Sequence, residues 1–144
     1  MKKFKFDLED VLELRKFREE ECMLALGQAI SYLNKIENDI LQTAVKKHNA
    51  SSQRFNNVEE IISWENYIAR LDKEMETLTE KAAKAQMVVE EKRTVYLEAE
   101  KEVKVMEELK DIQKKEYRKD MQNKEFSEVD ELNASRFNLA GKLI

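Results

Sequence analysis

From Ile61 to Met106 the chain repeats one spacing without a break: Ile61, Trp64, Ile68, Leu71, Met75, Leu78, Ala82, Ala85, Val89, Lys92, Tyr96, Ala99, Val103 and Met106, in steps of three and four. Of these only Lys92 is neither apolar nor aromatic. A mean spacing of about 3.5 residues keeps one stripe facing a partner helix when the two supercoil left-handed. A helix lying on a globular core would drift off so strict a repeat and would need other elements to cover it. The rest of the chain supplies none, because its 144 residues hold no Pro and two Gly, and turns have little to form from. At 39% charged the chain invites disorder, but its apolar residues are too numerous and too regular for that.

The stripe needs a second helix, and the N-terminal third provides it. Asp7 suits an N-cap, Glu9 and Asp10 suit the positive end of the helix dipole, and Phe6 with Val11 falls at the positions of a hydrophobic staple. Cys22, Leu26, Ala29, Leu33, Ile36 and Ile40 alternate by four and three. Val11, Leu14 and Arg18 join that seam only through one stutter. The Asn- and Ser-rich stretch 49–57 breaks the pattern, and Asn57 with Glu60 resembles a capping box.

The expected fold is all-α: two long helices forming an antiparallel coiled-coil hairpin, helix 2 longer than helix 1, in a single domain over residues 1–144. Helix 1 runs over about 7–48, the loop over 49–57 and helix 2 over 58–125. The tail 126–144, with Phe126, Val129, Leu132, Phe137 and Leu143, is a short helix or disordered. Matching seam positions pairs Ile36 with Ile68, Leu33 with Leu71, Ala29 with Met75 and Leu26 with Leu78. Helix 1 is then used up near residue 98, leaving 100–125 unpaired. Cys22 and Gly27 read as small residues that let the helices approach closely, and Lys92 as a side chain snorkelling from a loosened stretch. Trp64 belongs to the seam, while Tyr67 sits at its rim with Arg70 nearby.

Several function classes have nothing to stand on. His48 and Cys22 are the only residues of their kinds, so neither a nitrogen–sulfur metal site nor a nucleophile–base pair is assembled. Carboxylates alternate with Lys and Arg, the pattern of solvated helix faces. No Gly-rich phosphate loop exists. The expectation is therefore no enzyme, no cofactor and no metal. The formal charge of −4 lacks a basic stripe, and Lys2, Lys3 and Lys5 read as a solvated start, so no nucleic acid is expected. No apolar run reaches the ~18 residues of a membrane span, and the N-terminus lacks the apolar core of a secretory signal. No membrane insertion is expected, and the lone cysteine fits a reducing compartment.

Three stretches carry a resemblance to a known family. The opening Phe4-Lys-Phe-Asp-Leu8-Glu-Asp-Val11-Leu12-Glu-Leu14-Arg15-Lys16 is followed by Glu19-Glu20 and Leu26-Gly27. Trp64-Glu-Asn-Tyr67-Ile68-Ala-Arg-Leu71 comes just after the break. Leu109-Lys110, Glu116-Tyr117-Arg118, Asp130-Glu131-Leu132 and Arg136 close the chain. In this order and at this length they resemble the FliJ family, soluble stalk components of the flagellar type III export apparatus.

The resemblance implies a non-enzymatic coupling protein, cytoplasmic and peripherally associated with the inner-membrane export apparatus. Its implied partners are the hexameric flagellar export ATPase, the cytoplasmic domain of the export-gate membrane protein, and export chaperones. By analogy the end holding Phe4–Arg18 and residues 100–136 enters the ATPase ring, with Val11, Leu14, Arg15, Tyr117, Arg118 and Leu132 as contacts. Tyr67 and Leu71 match the family's gate-contacting positions. Two alternatives stand beside it: the stalk of a virulence type III secretion system, and a coiled-coil scaffold or prefoldin-like holdase.

Overall fold

The computed structural model describes residues 3–142, so Lys2 of the N-terminal cluster and Leu143 of the tail pattern lie outside the described residues. The chain is all-α. Helix α1 spans Glu9–Ser51, the longer α2 spans Val58–Lys142, and the two pack against each other as a hairpin. Their contacts gather into two compact units: residues 17–100, and residues 3–16 with 101–142.

In the unit of residues 17–100 the seam of α2 follows its sequence spacing. Trp64, Ile68, Leu71, Met75, Leu78, Ala82, Ala85, Val89, Tyr96 and Ala99 are buried or half-buried, whereas Ile61 and Lys92 are exposed. Leu33, Ile36, Ala85 and Val89 form the buried centre, with Leu26, Ala29, Ile30, Ile40, Leu78 and Ala82 packed around it. Burying one such aliphatic side chain contributes about 1.5–3 kcal/mol.

The register differs from the expected pairing. Leu33 and Ile36 meet Ala85 and Val89 instead of Leu71 and Ile68, and Lys47 forms an ion pair with Asp72 at 2.5 Å. Ala85 lies fourteen residues, two heptads, beyond Leu71. A slip by whole heptads returns every seam position to a seam position, so spacing alone does not choose among registers. In the observed register Thr43 and Ala50, at the end of α1, are buried and carry the seam past Ile40. Neither reads as apolar patterning. Buried Thr43 satisfies its hydroxyl by donating to the Asp39 carbonyl at 2.9 Å.

The connection is shorter than expected, since Asn49, Ala50 and Ser51 remain helical. Helix α1 ends as the Ser51 hydroxyl donates to the His48 carbonyl at 2.6 Å. The predicted cap of α2 is present: the Glu60 N–H donates to Asn57 Oδ1 at 2.8 Å. Glu60 reaches back to accept from the Asn56 N–H at 2.9 Å.

In the second unit α1 starts at Glu9, with Asp7 in the preceding turn. The Glu9 N–H donates to the Phe6 carbonyl at 3.1 Å and the Leu12 N–H to the Leu8 carbonyl at 2.9 Å, so the backbone closes this start where a side-chain cap at Asp7 was expected. Phe6 is buried with Leu12 and Val103, and the expected staple to Val11 gives way to this cluster. The seam of α1 needs no stutter. Leu12, Arg15, Glu19 and Cys22 are its buried or half-buried positions, while Val11, Leu14 and Arg18 are exposed. Two charged residues at seam positions hid the repeat.

The two-heptad shift has a consequence for α2. Residues 101–121, expected to be bare, are covered: Arg15 pairs with Glu102 at 2.6 Å, Lys110 with Glu9 at 2.8 Å, and Val103, Met106 and Leu109 pack with Phe4, Phe6 and Leu12. Beyond Met121 every described side chain through Leu139 is exposed. The stretch from Phe126, expected as a short helix or disordered, continues α2 without interruption to Lys142.

Candidate protein-interaction surfaces

Six residues expected at the ATPase-facing end all fall in the unit of residues 3–16 and 101–142, but they do not form one patch. Val11 and Leu14 are exposed on α1, Leu14 at 66%. Arg15 sits half-buried in the seam, donating from Nη1 to Glu102 Oε2 at 2.6 Å. With both partners more than a third exposed, water screens this pair and its net stabilisation stays within about 1 kcal/mol. Tyr117 is half-buried, its ring 5.6 Å from that of Phe4 and tilted by 49°. Arg118 is exposed.

Leu132 stands fifteen residues past Tyr117, or about 22 Å along a helix rising ~1.5 Å per residue. It belongs with Phe126, Val129, Phe137 and Leu139, all between 51% and 79% exposed on the uncovered part of α2. Single exposed apolar residues are ordinary, whereas five on one bare stretch of helix make an extended apolar surface.

The hairpin tip, in the unit of residues 17–100, gathers aromatic side chains that spacing alone does not bring together. Trp64 donates its indole N–H to the Ala50 carbonyl at 2.8 Å, tying the start of α2 to the end of α1. Phe55, from the connection, stands edge-on to Trp64 with ring centres 5.4 Å apart. Tyr67 is half-buried with the Arg70 guanidinium 5.4 Å from its ring centre, a cation–π contact. An open hollow of about 920 Å³ is lined by Phe55, Trp64, Tyr67, Lys46, Arg54 and Glu59 among others.

Of the two residues matched to the gate contact, only Tyr67 opens onto this hollow. Leu71 is 3% exposed and lies in the seam. Phe55, a lone aromatic in a polar loop, carries no periodic signal in the sequence. Its distance of nine residues from Trp64 was the available hint.

Gly27 does not serve close helix approach: a Cβ there meets nothing within 4 Å. It is exposed on α1, beside Met23 and Leu24 in a shallow groove. Among the described residues no group of three or more His, Cys, Asp or Glu side chains is arranged to hold a metal ion, and no helix is long and apolar enough to cross a membrane.

The chain was also compared with known proteins. A family model described as the flagellar FliJ protein matches residues 4–142. No match was found among curated proteins or among solved structures.

Proposed function

The chain belongs to the FliJ family and is thus a component of the flagellar export apparatus, and on that premise we propose that it is the apparatus's non-enzymatic coupling stalk. In this reading it stands in the central opening of the hexameric export ATPase through the unit of residues 3–16 and 101–142. It touches the cytoplasmic domain of the export-gate membrane protein near Tyr67, with Leu71 buried in the seam. It also takes part in handling export chaperones. It works in the cytoplasm, peripherally associated with the inner-membrane export apparatus.

One observation carries the reading: α2 continues bare from residue 122, displaying Phe126, Val129, Leu132, Phe137 and Leu139 on a stretch of helix that no other described residue covers. Most helical stability in proteins comes from packing an apolar face, so a bare face on so long a helix calls for an external partner. The same apolar run supports a holdase as the second reading.

Export ATPase turnover measured with and without the chain separates the two. Stimulated hydrolysis together with hexamer formation is the expected result, and Leu132→Ser reduces the stimulation severalfold. An unchanged rate and unchanged assembly, with the chain helical by circular dichroism, overturns the coupling role in favour of a scaffold or holdase. Crosslinks that place the Trp64 tip inside the ring would refute the orientation.

A further inference from the structure

The segment ahead of α1 and the first residue of that helix are held to α2 by side chains. Phe6 is buried with Val103 beside Met106 and Leu109, Phe4 lies against Tyr117, and Glu9 pairs with Lys110 at 2.8 Å. Its own backbone hydrogen bonds close locally, back to Phe6 and Leu8. The segment carries Asp7, Glu9 and Asp10 beside Lys5, and across Val103–Tyr117 Lys104, Lys110, Lys114 and Lys115 are balanced by Glu107, Glu108, Asp111 and Glu116, so the electrostatic part of the contact is the Glu9–Lys110 pair. A hollow of about 570 Å³ stays open beside the contact, lined by Phe4, Phe6, Glu9, Asp10 and Lys110 among others.

From this we infer that the α2 face from Val103 to Tyr117 is a binding site for a short protein segment that carries aromatic residues followed by carboxylates, with Phe4–Asp10 as its resident and exchangeable occupant. The elements of recognition are a ring for the apolar slot at Val103, a second ring for Tyr117, and a carboxylate for Lys110. The two rings come from ahead of α1, and the carboxylate from its first residue. Tethering gives the resident an effective concentration near the millimolar range, so a competitor prevails only when an assembly presents it at comparable local concentration. Exchange is therefore tied to docking. This site stands on the geometry alone and holds whether or not the chain couples an ATPase.

The test uses the full chain with Phe4→Ala and Phe6→Ala, which empties the slot, and a fluorescent peptide of residues 3–13 as the probe. Fluorescence anisotropy is expected to show the peptide binding the variant about tenfold or more tighter than the wild-type chain, whose resident segment competes. Added salt should weaken that binding. Lys110→Glu in the variant weakens binding severalfold, and a peptide with Glu9→Lys recovers it. Circular dichroism, together with slow hydrogen exchange across Leu33 and Val89, verifies that the hairpin persists. A folded variant that ignores the peptide, or that takes a scrambled peptide of the same composition equally well, overturns the proposal. Dimerisation of the variant without peptide, seen by sedimentation velocity, overturns it too, because the face then reads a second copy of α2.

Discussion

The two compact units put the same hairpin together with different chemistry. Around Leu33, Ile36, Ala85 and Val89 the helices meet through aliphatic side chains in a continuous seam. Between residues 3–16 and 101–121 they meet through one fully buried leucine, two phenylalanines and ion pairs at the rim, among them Lys16 with Glu107 at 3.9 Å. Aliphatic burial is insensitive to salt and gains from every added methylene. Rim ion pairs gain little and are screened. The first kind of interface holds a shape, whereas the second opens locally at modest cost, as expected of a region that trades contacts.

Substitutions can break that contrast. The largest effects come from the two centres. Ile36→Ala should cost about 2–4 kcal/mol, read as an earlier urea midpoint with cooperative loss of the whole seam. Leu12→Ala, at the most buried side chain of the chain, should cost a similar amount, but hydrogen exchange should accelerate chiefly over 101–121. If both variants melt the same amides, the two units are one cooperative body and the comparison fails.

Smaller effects sharpen it. Trp64→Phe removes the indole N–H that reaches the Ala50 carbonyl and should cost about 1 kcal/mol by thermal melting. Asn57→Ala, which removes the acceptor of the Glu60 amide, should cost about the same. A double-mutant cycle on Arg15 and Glu102 should return only a few tenths of a kcal/mol, fading as salt is added. Leu132→Ser should leave stability within about 0.5 kcal/mol, so that any change in partner binding belongs to contact and not to folding.

How much was legible in the sequence divides along the same line. The seam of α2 could be read from Trp64 to Met106 because nearly every position on it is apolar or aromatic. The register could not. The repeat is degenerate under whole-heptad slips, and Thr43 and Ala50, which the observed register buries, look like surface. The start of α1 was misread because Arg15 and Glu19 occupy seam positions, where a charge is tolerated at a narrow, half-open interface. The site residues show the same limits: Tyr117 and Tyr67 are half-buried, and no spacing rule announces that Phe4 meets Tyr117 or that Phe55 meets Trp64. Those contacts join segments far apart in the chain or set by a loop.

The bare portion of α2 carries a directional instruction. Continuing the α2 seam by threes and fours from Val103, Met106, Lys110, Gln113 and Tyr117 leads to Asp120, Lys124, Ser127 and Glu131, all polar. Phe126, Val129 and Leu132 fall between these positions, centred roughly 100° or more around a helix that turns ~100° per residue. Lengthening the N-terminal helix would therefore leave them uncovered. Whatever binds them approaches from another azimuth, so the helix can be gripped there while the Phe4–Asp10 segment keeps its seat.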